Sequence, residues 1–165
     1  MSATETTLDF EGLLDVLGHT EGEFTSVIHW VGDGAPSTWV GPPCNAPAYA
    51  AGLPATANVF FGVNSISGPP RRNAGRGKEA EITRLAALPL DLDFKPGGCP
   101  SRDVALAIVA ELAIILGTRC SAIVDSGHGL HAYWPVEDGL IVGGDIHQGA
   151  GAAEAVGPSG GPGGR

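Results

Sequence analysis

The sequence predicts an α/β fold of the α+β kind, a mixed sheet with flanking helices, from three observations. Residues 85–93 form an apolar run that ends in two carboxylates, which indicates a strand packed on a core. Residues 104–116 are strongly apolar over the length of a helix. Residues 121–124 and 130–136 indicate two strands joined by a glycine-bearing turn. Strand, helix and hairpin in that order are typical of a sheet covered by helices.

The elements ahead of residue 85 are expected to be shorter. Residues 8–17 place apolar side chains at near-helical spacing and predict a short amphipathic helix. Residues 26–31 and 58–63 are rich in β-formers and predict strands. The intervening segments, 32–56 and 64–78, are rich in Gly and Pro and predict long loops.

The long helix carries end signals of its own. Ser101 is placed as an N-cap, and Asp103 lies in the first turn, where a negative charge interacts favourably with the helix dipole. Gly117 follows the last apolar residue, where a left-handed glycine commonly ends a helix. These signals predict a helix that begins just after Ser101 and ends just before Gly117.

Length and composition predict a cytoplasmic protein with no membrane partner. The 165 residues suffice for one domain with a core, or for one domain and a fragment. No run approaches the roughly 20 apolar residues that span a bilayer, and residues 1–7 lack the features of a signal peptide. Cys44, Cys99 and Cys120 are scattered, which favours reduced thiols over a disulfide framework or a zinc site.

The charge distribution contains a basic cluster within an acidic chain. The net charge is −9, which by itself argues against nucleic-acid binding. No Lys or Arg precedes residue 71, and five of the nine then follow within a short segment. They are Arg71, Arg72, Arg76, Lys78 and Arg84. Such a segment could hold phosphates, or it could be an ordinary solvated loop.

The carboxylates that end residues 85–93 predict a metal site. Side chains alternate along a strand, so Asp91 and Asp93 share a face while Leu90 and Leu92 point into the core. Two carboxylates on one face suit Mg²⁺ or Mn²⁺, with water and phosphate as the remaining ligands. The alternative is a strand that simply stops in a polar turn.

A second polar segment follows about forty residues later, as a glycine-bearing turn that opens a strand. Gly127 and Gly129 allow a tight turn, and Ser126 with free amides of that turn could hold a phosphate oxygen. His131 begins the strand, from which it could reach a nucleotide bridged by a metal to the two carboxylates. His128 lies in the turn, and a zinc pair of the two histidines lacks an obvious third and fourth ligand.

These segments carry a family resemblance. A strand that ends Asp91-Leu92-Asp93, followed by Ser-Gly-His-Gly-Leu-His-Ala-Tyr-Trp, resembles the archaeo-eukaryotic primase superfamily. The likeness is to the N-terminal primase–polymerase domains of phages and plasmids. By position Asp91 and Asp93 match the family's metal-binding motif, and His131 matches its nucleotide-contacting histidine. Residues 58–63 and 75–78 also look like the segment ahead of the first motif.

The resemblance implies a function and an architecture. It implies an RRM-like catalytic core that makes or extends primers on a DNA template, with Mg²⁺ or Mn²⁺ at the carboxylates. Nucleoside triphosphates would be bound by His131 and the turn around Ser126 and His128, assisted by Arg76 or Lys78. A helicase domain or replication proteins are the further partners that it implies.

The chain departs from this family in one respect. The family carries a third acidic motif on a later strand, and the residues after 136 are Gly- and Ala-rich. Asp145 does not have a convincing setting for that motif. We therefore expect a helical lead-in over 1–23, a partial catalytic domain over 24–148 and a disordered Gly/Pro-rich tail over 149–165, the last from truncation or a frameshift.

Two rival interpretations remain open from the sequence. One is a catalytically weak or dead fragment that only binds nucleotide or DNA. The other is a metal-dependent transferase that uses the Asp-x-Asp pair to hold a nucleotide-sugar, although the histidine strand has no natural role in such an enzyme.

Overall fold

A computed structural model describes residues 9–137 and Gly139, and it confirms the α+β class. The expected tail over 149–165, Asp145 and the end of the expected catalytic domain lie outside the described residues. The helices are α1 Phe10–Val16, α2 Ala46–Ala51 and α3 Arg102–Leu116. The strands are β1 Thr25–Val31, β2 Ser37–Gly41, β3 Ala57–Phe61, β4 Ser65–Ile66, β5 Arg71–Arg72, β6 Ile82–Arg84, β7 Ala87–Asp93, β8 Ala122–Asp125 and β9 Gly129–Pro135.

The described strands form three antiparallel sheets and not the single mixed sheet expected. Their orders are β3-β1-β2-β5, β4-β6 and β7-β9-β8. The strand–helix–strand unit β7-α3-β8 favours parallel neighbours, and β7 and β8 do run parallel. They are not adjacent, because β9 lies between them and pairs antiparallel with both. Because β9 separates the two parallel strands, every strand pair in this sheet is antiparallel.

The segment over residues 32–56 was expected to be a loop, and it contains β2 and α2. β2 pairs with β1 along its whole length. Trp39 of β2 is buried, and its ring stacks on that of Tyr49 in α2 with centroids 5.0 Å apart. Tertiary packing of these aromatic rings outweighs a local composition rich in Gly, Pro and Ala. The two-residue strands β4 and β5 likewise lie within the expected loop 64–78.

The expected ends of α3 are confirmed. The Ser101 hydroxyl accepts a hydrogen bond from the Val104 amide at 3.3 Å, and Gly117 has a left-handed φ of 69°. Ala105 and Val109 on the inner side of the helix are buried against β9. Within the described residues, no helix is long and apolar enough to cross a membrane.

One apolar cluster joins the N-terminal elements to the β7-β9-β8 sheet. Leu13 and Leu17, in and just after α1, pack with Ala87, Ala122 and Tyr133 of that sheet. Burial raises the pKa of the Tyr133 phenol. The described part of the expected lead-in therefore shares a core with the segment that follows it.

A partly buried polar network lies beside this cluster and includes Arg84, one of the clustered arginines. The Arg84 guanidinium donates to both carboxylate oxygens of Glu23, at 2.7 and 3.0 Å. The ring of His19 is fully buried, donating from Nε2 to the Val63 carbonyl and accepting at Nδ1 from the Ser65 hydroxyl. The Arg84 guanidinium is thus engaged by Glu23 and by the Gly18 carbonyl within the fold.

This network predicts a protein that loses stability in acid. Burial lowers the pKa of His19 below its usual 6.5. As pH falls through 6.5 the unfolded chain therefore binds a proton at His19 before the folded chain does, and the free energy of unfolding decreases. The hydrogen bonds from Arg84, against the opposing effect of burial, bring the pKa of Glu23 from 4.5 to about 2, so a second loss follows below pH 4.5. We expect the Glu23 contribution to be roughly 1–2 kcal/mol after allowance for solvent screening.

Urea unfolding between pH 8 and 3 measures this loss. His19→Gln should flatten the decline between pH 6.5 and 5, whereas Glu11→Gln, at an exposed residue in the first turn of α1, should leave the profile unchanged. A wild-type unfolding midpoint that stays constant from pH 7 to pH 4 would contradict the prediction.

Candidate functional site

The two predicted motifs lie side by side on the β7-β9-β8 sheet. Asp91 of β7 is the direct register partner of His131 of β9, and Asp93 is the partner of Gly129. Directly paired residues of antiparallel strands share a face, so both carboxylates and the imidazole lie on one side of the sheet. His131 Nε2 is 3.3 Å from Asp91 Oδ1. Strand pairing therefore brings together residues that are forty positions apart in the chain.

The other face of the same strands is covered by α3, as the alternation predicts. Leu90 and Leu92 pack there against buried Leu130 and Ala132. A shift of the register by one residue would bury both carboxylates and expose these leucines. The hydrophobic pattern thus keeps Asp91 and Asp93 on the face of the sheet opposite α3.

Gly129 is the residue that lets β9 approach β7 at this point. A β-carbon at Gly129 would lie 2.5 Å from the Leu92 carbonyl oxygen and 3.0 Å from the Asp93 α-carbon. Any other residue would separate the strands beside the carboxylates. The glycine serves the contact between the two motifs.

Lys95 is the site residue that the sequence reasoning left out. Its Nζ donates to Asp93 Oδ2 at 2.5 Å. The hydrogen bond and charge of Lys95 lower the pKa of the Asp93 carboxyl, and the same interaction raises the pKa of Lys95. The signal was its position two residues after Asp93, which puts a cation on the carboxylate side as the strand ends.

The site is open to solvent. The side chains of Asp91 and Asp93 are 66% and 44% exposed, and His131 is partly buried between Asp91 and Val124. A hollow beside the carboxylates extends to Lys95 and to Ile108 of α3, and His131 does not line it. A large charged ligand could therefore approach without any displacement of the core.

The backbone amides of residues 126–128, which are expected to hold a phosphate oxygen, form hydrogen bonds within the turn itself. The Ser126 amide donates to the Gly129 carbonyl, and the Gly127 amide donates to Asp125 Oδ1 at 2.9 Å. The His128 amide donates to the Ser126 hydroxyl at 3.4 Å, and that hydroxyl donates in turn to Gly129. An Asx-type turn uses its own amides in this way, so this conformation offers no free amide at these three residues.

In the described part of the chain the side chains of the remaining predicted residues are not hydrogen-bonded or ion-paired to the carboxylates. The side chain of His128 is exposed in the turn, while its carbonyl accepts from the Phe94 amide at 2.7 Å. Arg76 and Lys78 are exposed in the segment between β5 and β6. Across residues 9–137 neither of these two side chains forms a hydrogen bond or ion pair with a site residue.

The donor atoms at the site are the carboxylates of Asp91 and Asp93 and the imidazole of His131. In the described part of the chain no group of three or more His, Cys, Asp or Glu side chains is arranged to hold a metal. Mg²⁺ commonly uses one or two carboxylates and completes its shell with water and phosphate oxygens. Asp91 and Asp93 supply two carboxylates on one face of the sheet. His131 lies on the same face, directly across from Asp91. A pair of carboxylates would hold such a cation weakly until a phosphate joins it.

The chain was also compared with known proteins. No protein-family model, curated protein or solved structure gave a significant match.

Proposed function

We propose that this chain is a metal-dependent nucleotidyltransferase of the DNA primase–polymerase type, which makes or extends primers during phage or mobile-element replication. The proposal includes a cytoplasmic location and nucleoside triphosphates as substrates. The observation that carries it is the cross-strand pairing of Asp91 with His131, with Asp93 on the same open face.

The topology around the site also supports this proposal. In β7-α3-β8-β9 the last strand lies between the first two, as in the first half of a βαββαβ sheet. The resemblance implies an RRM-like core, and that core has this strand order. We infer that β7, α3, β8 and β9 are that half of it.

Each residue has a distinct role in the proposed reaction. Asp91 and Asp93 would hold the divalent cation, which when bound would offset the charge of the triphosphate while a primer 3′-hydroxyl attacks the α-phosphate in line and pyrophosphate leaves. His131 would donate a hydrogen bond to a phosphate oxygen and so fix the triphosphate beside Asp91. The Ser126–Gly129 turn would act indirectly, since its internal hydrogen bonds set the position from which β9 starts.

The primary test separates binding from synthesis. Mn²⁺ with a deoxynucleoside triphosphate should raise the thermal midpoint of the full chain by mass action, whereas Mn²⁺ with a nucleotide-sugar should not. Labelled nucleotides and a single-stranded template should then give primer products. An equal shift with the nucleotide-sugar, or no shift with any triphosphate, would overturn the proposal.

A binding-only function is the second candidate, and one observation favours it. In the described residues the two carboxylates are joined by Lys95 and not by a third acid. A site with two carboxylates could bind a metal–triphosphate complex and still support the transfer step poorly. A thermal shift without primer products at any Mn²⁺ concentration would select this candidate.

Replacement of Lys95 is expected to change the affinity of the site for Mn²⁺. Replacing Lys95 with methionine removes the cation that neutralises Asp93, so Mn²⁺ should bind about two- to fivefold more tightly, as expected for loss of an exposed ion pair. Lys95→Arg keeps the positive charge and should bind Mn²⁺ as the wild type does. Isothermal titration with Mn²⁺ alone measures both, and a Lys95→Met affinity equal to or weaker than wild type would count against a metal at Asp93.

A further inference from the structure

The β3-β1-β2-β5 sheet carries an exposed aromatic pair that the proposed metal site does not use. Val27 and its partner Phe61 point to the side covered by α1 and α2. Trp30 and Phe60 lie on the opposite side, which we call the outer face. Their rings are stacked, with centroids 4.9 Å apart and planes 9° apart, and Phe60 is 47% exposed.

This pair offers a flat apolar surface to a ligand. A stacked pair exposes the outer side of a ring as a π-face, while its mutual contact holds the two rings in place. Ile28 lies beside the pair, because it is the direct register partner of Phe60. Planar unpaired bases bind such rings whatever their sequence.

The basic segment 71–78 contacts the sheet at the end of the row of residues that contains Phe60. The row runs from Phe60 through Ile28 to Thr38, whose carbonyl accepts from the Asn73 amide at 2.7 Å. Residues 71–78 then carry four positive charges and no acidic residue.

Two of these four cations are available to a ligand. Arg71 is engaged by Glu81 at 3.0 Å, and Arg72 lies over the Tyr49 ring on the covered side. Arg76 and Lys78 are exposed, and in the described part of the chain neither forms an ion pair. The segment that leaves the edge of the outer face at Asn73 therefore carries two exposed cations, and Glu81 Oε2 accepts a hydrogen bond from the backbone amide of Lys78 at 2.6 Å.

We propose that the outer face binds single-stranded nucleic acid, with bases stacked on Trp30 and Phe60 and phosphates at Arg76 and Lys78. The charge selects a polyanion over an apolar protein surface, and stacking requires bases that are not already paired. The inference deepens the proposed function, on which it rests for the choice of a nucleic acid: the strand bound here would be the template.

The test measures binding of a fluorescein-labelled oligo-dT 20-mer to the full chain by anisotropy, in EDTA and low salt. Phe60→Ala should weaken binding roughly five- to hundredfold, as loss of one stacked base does. Val59→Ala is the matched control, since Val59 is an exposed apolar residue of the same strand that points to the other side. Trp30→Phe keeps a ring and should retain most of the affinity.

Two further controls show whether the cations contribute to oligonucleotide binding and whether binding is independent of the metal site. Arg76→Ala and Lys78→Ala should each lower the salt dependence of binding by about one released ion. Because binding is measured in EDTA, no divalent cation occupies the carboxylates, and failure of the metal site would not be mistaken for failure of this surface.

Three results would overturn the inference. They are oligo-dT affinity unaffected by Phe60→Ala, equal affinity for the matched duplex, and a Phe60-dependent dimer in light scattering without oligonucleotide binding. The last would identify a second copy of the chain as the occupant of the outer face.

Discussion

Asp91→Asn is expected to abolish primer synthesis and the Mn²⁺-dependent thermal shift with triphosphate. Asparagine keeps the size of the side chain and removes the charge, so β7 should still pair with β9. Charge stabilisation by a bound divalent cation contributes several kcal/mol to such reactions, so the rate should fall at least about a hundredfold. Primer yield from labelled nucleotides at saturating Mn²⁺ is the measurement.

The matched control for this change is Asp33→Asn. Asp33 is exposed in the turn between β1 and β2, on a different sheet, so its loss alters the net charge equally without touching the site. Wild-type activity in Asp91→Asn with a wild-type unfolding midpoint would refute the metal site. An equal loss in Asp33→Asn would point to a general effect of charge.

His131→Ala is expected to weaken triphosphate binding tenfold to a hundredfold, the range for a lost hydrogen bond to a charged group. Mn²⁺ affinity measured without nucleotide should change little, because the two carboxylates remain. His128→Ala supplies the comparison, since His128 lies three residues away with its side chain exposed in the turn. Titration of the triphosphate in the presence of Mn²⁺, followed by thermal shift or calorimetry, gives both affinities.

The two histidine variants together test which residue contacts nucleotide. A large loss in His128→Ala with little change in His131→Ala would place the ligand at the turn and not on the sheet. His131→Asn adds a further check, because an amide can still donate a hydrogen bond and should recover part of the affinity.

Local signals predicted the elements around the site well. Ser101 and Gly117 mark the ends of α3 by chemistry that acts within one helical turn, and the expected ends hold. The alternation of leucine and aspartate in β7 likewise predicted which side chains face α3. In these elements the local preference and the tertiary packing agree.

The sequence could not supply the features that depend on pairing between distant segments. β2 looked like part of a loop because only Trp39 and Val40 interrupt its small and polar residues, and its pairing with β1 is a tertiary property. The contact of Asp91 with His131 depends on the register between β7 and β9, which was expected only conditionally. The turn after β8 shows the converse, since the sequence predicts Ser126 as a phosphate ligand and its hydroxyl donates a hydrogen bond within the turn.

Among the described strands β7 lies at the end of its sheet, which has a consequence for the dynamics of the site. Among the described strands β7 pairs only with β9, so one ladder of hydrogen bonds holds the strand that carries both carboxylates. Edge strands open more readily than central ones, and local opening would release Asp91 and Asp93 before the rest of the sheet. The amides of β7 should therefore exchange with solvent earlier than those of β9, and a ligand that bridges the two strands should slow that exchange.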